Sequence, residues 1–482
     1  MSVNVSAARK KCNSLNYNQL INCLNLPEAE NGTGVEIIIL SDIILDSNQI
    51  IRIDGKKNIL IEGDRSEPTP TISETTSRID SKKLSKNKKL NTSLIEITGN
   101  SHDITLRNLK LLDSYENSDN FKKNCRINDR FKSSRWDTNL CYAPLLIGSA
   151  RGNSGNEFPT KILLAEITIV SNKSVLAEFR RTDDLSIIDS YFSHGTVFGL
   201  YFHPKFPHKN IYITNNEFAN TGTNAINLSN IKDALIRNNL FTDNHRDPQF
   251  MSCGNSSASS KTLACSGGQL LLADNHNAPV QNITITGNTF TTSSINPDEK
   301  TTVGIEIKSG KLDKIQDIFI EGNTIVNNPR HAIQIHKGNH SNIQIRNNYA
   351  CSNLVGFGQG NAIQPGVISV NQGKGIILDS NRIGPNCGNN PVWANFANTP
   401  TECKIAPDQN DCTITVEWKI HNLPPGYRPK ILVNGTAFVS NNSDTQGSKE
   451  LYLTTDQNKE IKLFINQLDT HPIAIMNVHG KK

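Results

Sequence analysis

Four short alternating segments of this 482-residue chain each carry two side chains able to bind a charge, form a hydrogen bond or move a proton, placed two residues apart. They are Glu178 and Arg180, Tyr201 and His203, Glu306 and Lys308, and Gln334 and His336. In an extended strand, residues two apart share a face, so each pair projects together. Arg or Lys can neutralise a carboxylate on a ligand. His, Tyr or Lys can remove or supply a proton beside it. These are the residue types for proton abstraction next to a carboxylate.

A recurring phrase sets the register between these segments. The pattern apolar–x–apolar–x–x–Asn–x–apolar occurs as IYITNNEF (211–218), ITITGNTF (283–290), IFIEGNTI (318–325), IQIRNNYA (343–350) and IILDSNRI (376–383), with ALIRNNLF (234–241) a looser copy. Its asparagines, Asn216, Asn239, Asn288, Asn323, Asn348 and Asn381, are spaced by 23, 49, 35, 25 and 33 residues. The basic unit is therefore about 23–25 residues, strand-rich and without a helical stripe, which predicts a parallel β-solenoid. Asn suits the sharp corners because it tolerates left-handed backbone and bonds locally, and stacked asparagines can bond from rung to rung. These six are expected to be scaffold.

After each phrase comes a second short strand: LIEIT (94–98), LAEFR (176–180), GLYFH (199–203), AINLS (225–229), LLLA (270–273), GIEIK (304–308), AIQIH (332–336) and VISVN (367–371). Stacked in register, they give one outward column of Glu96, Leu146, Glu178, Tyr201, Asn227, Leu271, Glu306, Gln334 and Ser369. The next column is Thr98, Gly148, Arg180, His203, Ser229, Ala273, Lys308, His336 and Asn371. The two chemically rich clusters lie four rungs apart, or ~19 Å at the ~4.8 Å strand spacing. Glu178 and Glu306 are thus too far apart to act as a glycosidase pair, which needs roughly 5–9.5 Å. His276, Arg330 and His331 flank the same strands, and the insertion holding His245, Arg246, Asp247 and Gln249 reads as a cleft wall.

Bulk properties are those of a folded protein: 36% hydrophobic and 20% charged residues, with a formal net charge of +5. The basic cluster Lys82, Lys83, Lys86, Lys88 and Lys89 reads as a solvated loop, and no nucleic-acid footprint is present. A weak attraction to acidic polysaccharides fits the net charge. No segment approaches the ~20 apolar residues that span a bilayer, and residues 1–11 lack the apolar segment of a signal peptide. The ten cysteines nevertheless fall into local couples: Cys12 and Cys23, Cys125 and Cys141, Cys253 and Cys265, Cys351 and Cys387, Cys403 and Cys412. Disulfides made in an oxidising compartment are expected, hence a secreted protein in its mature form. Residues 1–34 are expected to cap one end, 35–402 to form the solenoid, and 403–482 to form a small antiparallel β-sandwich.

The opening segments NILIEGD (58–64) and ITLRNLKLLDS (104–114), with the repeat, resemble the right-handed parallel β-helix superfamily of pectate-lyase-like, carbohydrate-active proteins. That resemblance covers roughly residues 35–390 and implies an all-β, right-handed parallel β-helix. The superfamily includes lyases, hydrolases, epimerases and tailspikes, so fold alone does not assign function. Subfamily motifs are missing. GIEIKS (304–309) has Glu306 where polygalacturonases have Arg, RDPQF (246–250) keeps only Asp247 and Pro248 of the mannuronan epimerase signature, and the Trp-Ile-Asp-His motif of calcium pectate lyases is absent.

The resemblance implies a polysaccharide partner, expected to be acidic. A lyase on a uronic-acid glycan would use Arg180, His203, Lys308 and His336 in catalysis, with Glu178, Tyr201, Glu306, Gln334, His276, Arg330 and His331 binding substrate. A glycoside hydrolase, with Glu306 and Asp274 as carboxylates, and a non-catalytic glycan-binding adhesin are the alternatives. No cofactor is assigned, and Ca²⁺ is the one ion left open.

Overall fold

In the computed structural model of the chain, the repeat phrase forms its corner through two neighbouring residues with separate tasks. The residue before each motif asparagine takes the left-handed conformation: Asn215 (φ 59°), Asn238 (φ 54°), Gly287 (φ 66°), Gly322 (φ 65°), Asn347 (φ 54°) and Ser380 (φ 53°). The motif asparagine itself is buried and builds the ladder. The expectation that one Asn does both jobs is corrected here. The left-handed turn swings the next side chain inward, where its amide meets main-chain groups that water cannot reach.

The described residues are 9–46, 49–66, 68–74, 93–113, 143–148, 157–171, 175–195, 198–244, 267–274, 278–292, 302–308, 315–328, 331–336, 338, 340–351, 368–370, 375–384, 392–397, 399–423, 429–439, 445–464 and 472–481. His276, Arg330, Asn371, the Lys82–Lys89 cluster, the insertion around His245 and Asp247, and cysteines 125, 141, 253, 265 and 387 lie outside them, as does the side chain of Cys351. Two compact units divide the chain, Met1–Pro279 and Val280–Lys482.

In the first unit, Lys10–Ser14 pairs in parallel with Val35–Ile39, which pairs with Lys57–Gly63 and then His102–Asp113. The helix Tyr17–Leu24 follows the first strand, its N-cap Asn16 accepting from the Gln19 N–H. A disulfide joins Cys12 to Cys23 across this start. Parallel pairing continues through Thr160–Ser171, Asp183–Ile188, His208–Thr214 and Ile231–Arg237. A second parallel series runs Ile51–Asp54, Ile95–Thr98, Leu145–Ile147, Val175–Phe179, Phe198–Phe202, Ile226–Leu228 and Gly267–Ala273. Between the sheets, like stacks on like: Phe192, Phe218 and Phe241 form an aromatic column with centroids 5.1 Å apart at each step. Alternation therefore buries one apolar side chain per two residues of strand, the main source of stability in such a core.

The second unit repeats the scheme. Val280–Thr286, Ile315–Glu321, Ser341–Arg346 and Ile376–Asp379 pair in parallel, as do Thr302–Lys308, His331–Ile335 and Ile368–Val370. Asn288, Asn323, Asn348 and Asn381 form an unbroken ladder, each Nδ2–H donating to the next Oδ1 at 2.9 Å. Antiparallel strands then close the unit. Asp411–His421 pairs with Gln446–Thr454, Lys430–Val433 with Asn458–Phe464, and the last strand, Ala474–Lys481, with both Asn458–Phe464 and Ile376–Asp379. That last pairing covers the parallel edge that an open solenoid would leave unpaired. Trp418 is buried in this sheet, and a disulfide joins Cys403 to Cys412.

Candidate functional site

The register of the second strands agrees with the columns read from the sequence. Glu96 lies opposite Leu146, Leu146 opposite Glu178, Glu178 opposite Tyr201, and Tyr201 opposite Asn227. In the second unit Glu306 lies opposite Gln334, and Gln334 opposite Ser369. The column was expected on an exposed face, but its side chains are largely covered. Glu96, Glu178, Tyr201, Asn227, Glu306 and Gln334 are all buried. Carboxylates removed from water must be matched by cations or hydrogen bonds, and the matching distinguishes the clusters.

In the first unit, the Arg180 Nε–H donates to Glu178 Oε1 at 2.7 Å, from just past the end of strand Val175–Phe179. Tyr201 stacks on Phe198 with centroids 4.9 Å apart and packs with Ala143 and Val175. His203 stands edge-on to Tyr201 and against Phe206, and its Nδ1 accepts the Lys205 N–H at 3.3 Å. One rung series earlier, Arg52 donates to Glu96 Oε2 at 3.0 and 3.1 Å. Each charged group of this unit's column is thus held by a neighbour in the same sheet.

In the second unit, His336 Nε2 lies 2.6 Å from Glu306 Oε1. The carboxylate accepts, so the proton sits on Nε2 and Nδ1 is the ring's other end. Glu306 is 2% exposed at the side chain whereas His336 is 25% exposed, so the hydrogen-bonded pair is anchored inside and open outside. Lys308 continues the strand two residues past Glu306, and is exposed. The His336 N–H donates to the Ile307 carbonyl at 2.9 Å, which places Lys308 and His336 side by side across the ladder. Gln334 completes the group, and its buried Oε1 has no hydrogen-bond partner among the described residues. Leaving such an acceptor unmatched costs about 1–3 kcal/mol.

His331 does not join this group. It begins its strand opposite Val303, on the same parity as the inward-facing Ile333 and Ile335. Two residues that sequence reasoning passed over do bear on the clusters. His340, 1% exposed, donates from Nε2 to the His336 carbonyl at 2.9 Å. His208 lies 3.4 Å from the His203 carbonyl and 3.3 Å from Thr182 Oγ1, and burial pushes its pKa down to about 3. The available signal was the local pattern His203…His208 and His336…His340.

Elsewhere in the first unit an open groove of ≈ 550 Å³ runs past Glu166, Thr168, Asp189, Tyr191, Glu217 and Leu240, and holds none of the candidate residues. Among the described residues, no group of three or more His, Cys, Asp or Glu is placed to hold a metal ion, and no helix is long and apolar enough to cross a membrane.

Residues 151–383 match the family model described as a right handed beta helix region. No curated protein sequence matches the chain. Among solved structures, the chain is similar to the mannuronan C-5 epimerase AlgE4 A-module of Azotobacter vinelandii, at 13% identity over 72% of this chain and 76% of that one, with a TM-score of 0.45. It is similar to PfbA, a surface adhesin of Streptococcus pneumoniae, at 14% identity over 74% and 85%, with a TM-score of 0.38. It is also similar to the DFA-IIIase of Arthrobacter chlorophenolicus A6, at 13% identity over 71% and 91%, with a TM-score of 0.35. The parallel register and the Asn ladder fit that family model: by fold, residues 151–383 are a right-handed parallel β-helix.

Proposed function

We propose that the chain is a secreted enzyme acting on a uronic-acid-containing polysaccharide, cleaving it by β-elimination at the Glu306–His336–Lys308 group. The observation that carries this reading is the 2.6 Å contact between buried Glu306 and partly exposed His336, with exposed Lys308 beside it. Glu306 fixes the imidazole with its proton on Nε2, which directs Nδ1 toward a ligand. It also stabilises the cation formed when Nδ1 takes a proton. The Lys308 ammonium pairs with the uronate carboxylate, lowering the barrier to loss of the adjacent C5 proton. His336 takes that proton, the C4–O bond breaks as C4=C5 forms, and the proton is delivered to the leaving oxygen. No second reactant is consumed.

In the first unit Arg180, His203, Tyr201 and Glu178 form a separate polar group, and no step of this reaction is assigned to them. Disulfides at Cys12–Cys23 and Cys403–Cys412 support an oxidising, extracytoplasmic setting. The test is a scan over alginate, pectate, chondroitin and hyaluronan, with and without Ca²⁺, following the ultraviolet absorbance of the unsaturated product. Reducing ends without that absorbance would indicate hydrolysis instead, and silence on every glycan would remove the enzyme reading.

A further inference from the structure

We propose that the open groove of ≈ 550 Å³ in the first unit is a binding site for a neutral oligosaccharide, separate from the Glu306–His336 group and independent of the uronan-cleaving reading. Two rows of side chains line it where strands such as Asp183–Ile188 turn into strands such as Tyr191–Ser193. One row, Thr168, Tyr191, Glu217 and Leu240, stacks in register from rung to rung. The other, Glu166, Asp189, Asn215 and Asn238, has left-handed backbone, at φ 55°, 51°, 59° and 54°. Four rungs span three strand spacings, ~14 Å, the footprint of a short oligosaccharide. At this corner the second unit has Gly287 and Gly322, for which the conformation is free. The first unit keeps a side chain at every step against the preference of the backbone, a feature that collects at ligand sites. The polar ends of these side chains are uncommitted. Asp184 and Asn210, at the start of their strands, bond to each other at 2.7 Å. Asp189 and Asn215, stacked in the same register just past the other end of those strands, do not. Among the described residues, neither they nor Glu217 and Asn238 have a side-chain hydrogen bond. The groove thus offers carboxylates that accept from hydroxyl groups, and amides that both donate and accept. Tyr191 and Leu240 add apolar surface for the C–H face of a sugar ring. No Lys or Arg is among the described lining residues, and Arg65 offsets only Glu166, at 3.1 Å. A uronate would therefore meet like charge, whereas an uncharged, hydroxyl-rich chain would not.

The test is calorimetric titration of the full chain with neutral hexamers of glucose, xylose, mannose and N-acetylglucosamine. Oligogalacturonate and a glucosamine hexamer serve as charged counterparts. Expected is one-site binding of at least one neutral hexamer, with an affinity that changes less than about twofold between about 0.05 and 0.5 M salt. Tyr191→Ala and Glu217→Ala should each weaken it about tenfold or more, Glu217→Gln by less, and His336→Gln not at all. Thermal unfolding verifies that the variants keep the wild-type fold, as expected for side chains on the solvent side of the strands. Failure of every neutral hexamer to bind would overturn the proposal and leave the elimination reading intact, since turnover of uronates is measured separately. Binding lost in His336→Gln but kept in Tyr191→Ala would assign the sugar to the second unit and overturn the proposal equally. Binding of the glucosamine hexamer alone, abolished by salt, would make the groove a cation-binding surface, also against the proposal.

Discussion

His340 holds the strand end that carries His336: its Nε2–H donates to the His336 main-chain carbonyl at 2.9 Å from a position 1% exposed. His208 stands in the same relation to His203, at 3.4 Å. A carbonyl only accepts, so both buried imidazoles carry their proton on Nε2. In each case a buried ring fixes the chain where it leaves the sheet, just beyond a column histidine. Replacing His340 by Phe should cost about 1–3 kcal/mol, since the donor to the His336 carbonyl is lost. Turnover should fall with KM little changed, and His340→Gln should restore part of both. Urea unfolding and steady-state kinetics on the two variants would check this.

The His208 contact makes folding acid-sensitive. Its folded pKa of about 3 lies below the ordinary 6.5 because burial disfavours the imidazolium. Between those values the unfolded chain binds the extra proton and the folded one does not. Stability is therefore complete above pH 6.5 and declines as pH falls toward 3, by at most about 1.4 kcal/mol per pH unit. His208→Gln should flatten that decline, which urea midpoints at neutral pH and at pH near 4.5 would reveal.

Glu306 and His336 should separate charge from shape. Glu306→Gln keeps the volume and a hydrogen-bond acceptor but removes the anion that stabilises protonated His336, and turnover should fall by roughly two to four orders of magnitude. His336→Ala instead strips a carboxylate that is 2% exposed of its imidazole partner, a change that costs about 3–5 kcal/mol. Combining both substitutions should recover part of that stability, as a double-mutant cycle by thermal unfolding would show.

Lys308 and Arg180 should respond in opposite ways. Exposed Lys308 contributes little to folding, so Lys308→Ala should leave stability within about 0.5 kcal/mol while abolishing most turnover. Arg180 neutralises buried Glu178 at 2.7 Å, and Arg180→Ala should destabilise by about 3 kcal/mol or more. The folded fraction should still turn over substrate within about threefold of wild type. A large loss of turnover in folded Arg180→Ala protein would move the chemistry to the first unit.

Position in the ladder should set the cost of losing an asparagine. Asn323 donates to Asn348 and to the Ile285 and Glu321 carbonyls, and accepts from both nitrogens of Asn288. Asn381 ends its series, accepting from Asn348 and donating to the Ile345 carbonyl. Asn323→Ala should therefore destabilise by more than Asn381→Ala, by at least about 1 kcal/mol, the net value of one buried bond. Matched chemical denaturation curves would measure the difference.

Register was legible in the sequence because period-2 alternation and a fixed corner leave one way to stack the rungs. The pairing of Glu178 with Tyr201 and of Glu306 with Gln334 needed nothing more. Burial was not legible. Glu, Gln and Tyr on the outer parity of a strand look solvated, and only the folded chain shows them covered. His208 and His340 are not marked by the repeat phrase: His208 opens the strand His208–Thr214 and His340 lies just before Ser341–Arg346, where the alternation begins and fixes little. His331 opens its strand opposite Val303, on the parity of Ile333. The division of labour at the corner, left-handed residue first and ladder residue second, is likewise a matter of backbone angles that residue type does not announce.

Along the second unit's ladder the chain lengths between joints differ, at 35, 25 and 33 residues, yet each joint closes at 2.9 Å. The geometry of a rung is thus indifferent to how much chain leaves and re-enters at its corners. A rung behaves as an interchangeable cassette: segments can be lengthened, shortened or exchanged at the corners without displacing Glu306 from Gln334 or His336. For a protein of this kind, the shape of the binding surface and the position of the reacting groups are free to vary independently, and grafting a foreign loop between ladder asparagines is a direct route to a new ligand preference on an unchanged site.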